Sequence, residues 1–413
     1  MNDKTTETTP KEDESAPEKK SGFGTTFFGY VKTANAVMVT IYSILLALLI
    51  AGILVFTTTD SDDPFGTVLS MYSGLFTSSI IDPVTVNDFF LGAVPIEDVL
   101  RSPSDTLFAT APLVLSGLAV GLAFRTGLFN IGAQGQVIMG AIGATIIGFV
   151  LNVPWFLHLP LALAAGLLAG AIYGGVPGLL KARTGAHEVI TSIMLNYVAS
   201  LFLVWVIGTR FMDDPDRNDA ISQPVNDSAW LPFLGELFEQ KSIVRVNAGI
   251  IVALLAAWFV AWLLNRSTLG FRLRSVGLNP EASRTAGMSV TRTYPTSMAL
   301  AGGLAGLAGA VLALGGTTAP ALSSSVIGEV GFDGITVALL GRGKPWGIVG
   351  AALLFGALRN GGSNLQTYGI PVDLAIIVQA LIVLFIAAPA LVKTMLRLRT
   401  PAGGLATTTA KGW

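Results

Sequence analysis

Apolar runs about as long as a bilayer core recur along the whole chain, separated by shorter polar stretches. They cover residues 34–56, 106–124, 131–151, 157–180, 189–208, 247–264, 296–314, 332–340, 347–358 and 373–391. A helix needs about 20 apolar residues to cross a bilayer. The pattern therefore predicts an all-α integral membrane protein with about ten transmembrane helices. The eighth and ninth runs are short. They form either two tilted spans or a re-entrant pair bent at Gly341, Arg342, Gly343, Lys344 and Pro345.

One polar interruption stands out inside this apolar sequence. Residues 127–136 hold Asn130, Gln134 and Gln136 among the glycines Gly127, Gly132 and Gly135. Bilayer hydrocarbon cannot hydrate an amide, so irregular polar backbone at membrane depth survives only where protein buries it or water reaches it. Breaks of this kind point to a transport pathway. The three amides are expected to line that pathway, the alternative being hydrogen-bonded glue between helices. A second glycine-rich polar segment lies at residues 328–334 and contains Asp333. Spans two to five and seven to ten would run in opposite directions, which suggests an inverted repeat with both segments beside one site.

Charge sets the expected orientation. With the N-terminus inside, all of the 25 Lys and Arg except Arg101, Arg210, Arg217, Lys241, Arg245 and Arg359 fall on the cytoplasmic side. That bias places both termini in the cytoplasm. Residues 1–33 are polar and read as a disordered cytoplasmic tail, and 396–413 as a second tail. Between them, 34–395 form the membrane domain. Residues 57–105 and 209–245 are expected outside, and 265–295 form a cytoplasmic loop.

Composition narrows the function. The chain is 52% hydrophobic and 12% charged, about half the charged share of soluble domains, with a mean hydropathy of +0.66. A net charge of −1 argues against a nucleic-acid partner. There is no cysteine, and His158 and His187 are the sole histidines. Thiolate chemistry is excluded, and no metal site or catalytic residue is expected. Residues 341–344 lack the spacing of a phosphate loop, and Pro345 stands where Ser or Thr would follow the lysine. The chain is thus expected to be no enzyme and to carry no ATP site.

The loop 265–295 contains a compact helix signal. Asn279 can cap a helix N-terminus, Pro280 fits its first position and Glu281 suits the positive end of its dipole. Gly287 can close it in the left-handed conformation. The result is a helix of about two turns, too short to persist alone. It is read either as an ordinary basic loop or as a lever that docks into a groove on a cytoplasmic motor.

These residues carry a family resemblance. Residues 117–136 resemble a signature of ABC-importer permeases for nucleosides and simple sugars, the branched-chain amino-acid/ribose-type group. Residues 187–197 resemble a second signature, 277–287 its coupling-helix loop, and 331–341 a fourth, all in the family's order. The resemblance covers roughly residues 34–395. Gln134 stands where the family often has glutamate, and the N-terminal tail and the stretch 79–104 are longer than usual for the group.

The resemblance implies a bacterial plasma-membrane subunit whose alternating access is driven by a separate cytoplasmic ATPase, where ATP and magnesium bind. A second permease subunit and an extracytoplasmic substrate-binding lipoprotein complete the assembly. Nucleosides are the first substrate class implied, with simple sugars or branched-chain amino acids behind them. A secondary transporter driven by ions is the rival, but mid-span acids are scarce. The candidate pathway residues are Asn130, Gln134, Gln136, Glu188, Asn196 and Asp333. The candidate coupling residues are Asn279, Pro280, Glu281, Ala282, Arg284 and Gly287.

Overall fold

The computed structural model describes residues 36–59, 62–217, 219–235, 244–316, 320–365 and 373–397. The expected tail 1–33 and nearly all of the expected tail 396–413 lie outside the described residues, as does the part of the loop 209–245 that covers 236–243. Among the described residues the fold is helical, with only isolated β-bridges at Asp213–Ser222 and Phe233–Asn247.

The helices are α1 Ala36–Thr58, α2 Pro64–Ser79, α3 Pro83–Phe90, α4 Ile96–Arg125, α5 Ala133–Val150, α6 Trp155–Thr184, α7 Glu188–Ile207 and α8 Gly249–Arg266. There follow α9 Thr268–Leu278, α10 Pro280–Thr285, α11 Val290–Leu314, α12 Ser324–Ile327, α13 Val330–Leu340, α14 Pro345–Asn364, α15 Asp373–Ala387 and α16 Pro389–Met395. Among the described residues seven helices are long and apolar enough to cross a membrane: α1, α4, α5, α6, α7, α8 and α11. The α13 helix has 11 residues, about 16 Å at 1.5 Å per residue, so it cannot cross hydrocarbon alone. The α14 helix has 20 residues.

The expected loops hold more helix than their polarity suggested. Within 57–105, α2 and α3 start at Asp63 and Asp82, whose carboxylates accept from the Gly66 and Val84 amides at 2.9 and 3.1 Å. A proline occupies the first turn of each, the position that tolerates its missing N–H. The expected loop 265–295 is likewise largely helical. Ser267 caps α9 by accepting from the Gly270 amide at 2.9 Å, and α11 begins at Val290, ahead of Pro295. Short amphipathic helices carry no long apolar run, so hydropathy alone passes over them.

Two packed groups make up the core. In the first, α5, α6 and α11 meet along glycines. A Cβ at Gly170 would overlap the Gly302 carbonyl and lie 2.6 Å from the Gly306 Cα. Only glycine lets these backbones approach, and in an apolar solvent that close packing is the main attraction between helices. In the second, α4 is flanked by α13 and α14. Gly117 and Gly121 give room to Val337 and Ile348. One end of the bundle collects basic residues: Arg125 closes α4, Lys181 and Arg183 close α6, Arg266 closes α8, and Arg342 and Lys344 follow α13. At this basic end Arg125 Nε donates to the Gly343 carbonyl at 3.0 Å.

Candidate functional site: two facing helix breaks and a capped lever

The chain turns after α4 because Gly127 adopts φ +72°, a conformation open to glycine without steric cost. The amides of Gly127 and Leu128 donate back to the carbonyls of Phe124 and Ala123 at 3.0 and 3.1 Å. Residues 126–132 then run without helix to the start of α5.

Inside this break the polar side chains hold each other. Asn130 and Gln136 form a reciprocal amide pair, with N···O distances of 2.9 and 3.0 Å, and both are fully buried. Asn196, from α7, accepts from the Gly135 amide at 2.8 Å and donates to the Ile131 carbonyl at 2.9 Å. It ties α7 to the break and to the first turn of α5.

Gln134 reaches the second break. Its Nε2 donates to the Gly328 carbonyl at 2.7 Å, and its Oε1 accepts from the Gly331 amide at 2.8 Å. The first turns of α5 and α13 therefore face each other across one side chain. Gly331 lies so near Gln134 that a Cβ there would overlap the Gln134 backbone. An ionised glutamate at 134 could accept from Gly331 but could not donate to Gly328, whereas the glutamine amide makes both bonds without a proton.

The two acids form ion pairs outside this set of amide bonds. Glu188 opens α7 and pairs with Lys181 from the last turn of α6, while His187 Nδ1 lies 3.9 Å from the same carboxylate. The Lys181 ammonium also stands 5.6 Å from the Tyr294 ring centroid of α11. Asp333, in the first turn of α13, faces Arg359 of α14 at 3.6 Å. Arg359 in turn lines a cavity of about 200 Å³ whose other walls include Phe108, Pro112, Asn247, Val311 and Val330. Phe108 precedes Arg125 by 17 positions on α4, which sets the cavity about 25 Å from the basic end.

The lever forms a separate site at the basic end. Asn279 Oδ1 accepts from the Ala282 amide at 3.1 Å, Pro280 holds the first position of α10, and Gly287 takes φ +81°. Glu281 and Arg284 pair at 3.1 Å on the exposed side. Leu278, just before the cap, is 83% exposed. The last turn of α9, just before the lever, touches the first break directly, since a Cβ on Gly127 would lie 3.2 Å from the Gly277 carbonyl oxygen. Among the described residues no group of three acids or histidines could hold a metal.

Residues 102–387 match the family model described as branched-chain amino acid transport system, permease component. The chain belongs to this family. Among curated relatives, the permease is 44% identical to the guanosine ABC transporter permease protein NupP of Bacillus subtilis, over 69% of this chain and 80% of that one. It is 38% identical to the nucleoside ABC transporter permease protein NupB of Lactococcus lactis, over 75% and 84%. It is also 35% identical to the glucose ABC transporter permease protein TsgB13 of Haloferax volcanii, over 68% and 75%.

The permease brings Asn130, Gln134, Gln136 and Asn196 into one seam, while Glu188 opens α7 and Asp333 lies in the first turn of α13. Their amides bond to one another and to backbone, so the seam is a set of ties around two breaks. Two residues of interest lie outside the sequence-derived sites. Arg359 falls near the end of an apolar run, where a charge reads as solvated, and only its approach to Asp333 marks it. Leu278 carries a legible signal, an apolar side chain next to a capping residue.

Proposed function

We propose that this permease is the membrane-spanning subunit of an ATP-driven importer for nucleosides. The observation that carries this reading is the 44% identity to a guanosine permease along most of both chains. A relative that transports glucose is also similar, at 35% identity, and the cavity beside Arg359 weighs against a sugar. Its walls are mostly apolar, whereas a hexose needs a hydrogen-bond partner for each hydroxyl it buries. A nucleobase offers a flat apolar face with polar groups confined to its edge, so these walls suit the base of a nucleoside, with its ribose left outside them.

In this reading the basic end is cytoplasmic, by the positive-inside rule, and both termini share that side. The seven long helices are joined by α13, α14 and α15 to complete ten segments. The α13 helix starts part-way through the bilayer, opposite the start of α5, as an inverted repeat would place it. A separate ATPase docks on α10, with Leu278 as an apolar anchor and Glu281 and Arg284 as its polar rim. ATP and magnesium bind there and not on this chain. A second permease subunit and a substrate-binding lipoprotein on the far side complete the importer, in a bacterial plasma membrane.

Asn130, Gln134, Gln136 and Asn196 serve this cycle as the ties that hold the two breaks in one arrangement. Glu188 and Asp333 form ion pairs outside these ties. The passage of solute requires the seam to open, and the Gly127–Gly277 contact passes the movement of the lever into it. Uptake of labelled guanosine by cells carrying all subunits of the importer, against cells lacking this subunit, tests the reading. Loss of uptake without the subunit supports it. Undiminished nucleoside uptake together with lost glucose uptake rejects it.

A further inference from the structure

The cavity between α4, α11, α13 and α14 has a single cationic wall. Phe108, Pro112, Val311, Leu312 and Val330 supply apolar surface. The Asn247 amide is already engaged, accepting from the Gly249 amide at 2.9 Å and donating to the Gly315 carbonyl at 3.2 Å. Arg359 remains. Its 3.6 Å approach to Asp333 is an ion pair without a formed hydrogen bond, so the guanidinium keeps N–H groups for another acceptor. Its side chain is 47% exposed, so a ligand entering the cavity can reach the guanidinium.

We propose that Arg359 reads the base of the transported nucleoside and selects 6-oxopurines. This rests on the nucleoside reading above and adds to it a specificity-determining residue. A guanidinium presents two parallel N–H donors in a rigid fork. Guanine and hypoxanthine present two adjacent acceptors, O6 and N7, which match that fork. Adenine places an N6 amino group where O6 would be, so donor meets donor and one bond is lost. Uracil and cytosine have no N7. The Phe108 ring and the Pro112 and Val330 side chains offer the apolar surface a flat ring needs.

Asp333 is a positioning residue in this scheme. It attracts the guanidinium from the first turn of α13 without itself lining the cavity, and so biases the direction in which the fork points. It also neutralises the cavity. A lone arginine would draw phosphate, whereas an arginine paired with a carboxylate favours a neutral nucleoside over a nucleotide.

The test is direct binding to the purified permease–ATPase complex in nanodiscs, without the substrate-binding protein. Labelled guanosine is displaced by inosine, adenosine, uridine and GMP. Guanosine and inosine are expected to bind at least about tenfold more tightly than adenosine, the scale of one bidentate base contact. Arg359→Lys keeps the charge and removes the fork. It should weaken guanosine and inosine by about tenfold and leave adenosine within about threefold. Asp333→Asn should weaken all purine nucleosides while keeping their order, and should narrow the preference for guanosine over GMP.

Wild-type elution and ATPase rate for Arg359→Lys establish that the variant is folded and assembled. Equal weakening of all ligands by Arg359→Lys, or no weakening, overturns the proposal, as does wild-type binding that ignores the base. In those cases the nucleoside reading stands. No binding of any nucleoside, with binding of labelled glucose to the same complex, removes both.

Discussion

Gly127 and Gly277 meet with no room for a side chain between them. A Cβ on Gly277 would overlap the Arg125 carbonyl oxygen and lie 2.9 Å from the Thr126 carbonyl carbon. Gly277 is in the last turn of α9, two residues before the cap of α10. Gly127 is the turning point of the first helix break. In the proposed cycle a push on the lever would reach the break through the α9 backbone, with no flexible side chain to absorb it.

Gly277→Val should break this transmission. The added side chain must displace backbone, at a cost of about 1–3 kcal/mol. Guanosine uptake should fall at least about tenfold, while the ATPase still co-purifies because α10 is untouched. ATP hydrolysis that continues without uptake is the expected signature. Normal uptake would show that the contact transmits nothing.

The reciprocal Asn130–Gln136 pair should be strongly non-additive. Asn130→Leu leaves the Gln136 amide buried and unpaired, which costs about 1–3 kcal/mol. The double variant Asn130→Leu/Gln136→Leu removes both partners, so it should be less destabilised than the sum of the single variants. Thermal unfolding of the purified complex in detergent measures the difference. Additive losses would mean that the pair does not hold the break.

Lys181 and Glu188 join α6 to α7, with Tyr294 of α11 beside the lysine. The Glu188 side chain is 8% exposed and that of Lys181 25%. Glu188→Lys should therefore be severe, up to about 3–5 kcal/mol for a broken buried pair, with water around Lys181 reducing that figure. The exchanged double variant Lys181→Glu/Glu188→Lys should regain a large part of expression and uptake. Failure of the exchange to restore anything would indicate that each residue acts alone.

Leu278→Asp should release the ATPase without unfolding the permease. The side chain is 83% exposed, so its replacement costs the isolated chain little, but it removes the apolar anchor next to α10. Pull-down in mild detergent should lose the ATPase while the variant elutes normally. Retention of the ATPase at wild-type levels would place the docking surface elsewhere.

The sequence announces the long helices clearly, because about 20 apolar residues leave little other choice. It announces α10 as well, since Asn279, Pro280 and Gly287 each have one conformational preference that agrees with the others. It hides α2, α3 and α9, whose caps at Asp63, Asp82 and Ser267 are visible only once hydropathy is set aside. The polar break at 127–136 is legible as a break. Its internal bonding is not, because the partner of Gln134 lies almost two hundred positions later, at Gly328 and Gly331. Arg359 is hidden for the same reason: its significance depends on Asp333 and on a cavity formed by distant helices.

Transport by purified components in sealed vesicles tests the central claim most directly. The permease with its ATPase, the binding protein and ATP should concentrate guanosine inside the vesicle, and the permease alone should not, with or without a proton or sodium gradient. Uphill guanosine accumulation by the permease alone under an ion gradient would contradict an importer driven by a separate ATPase.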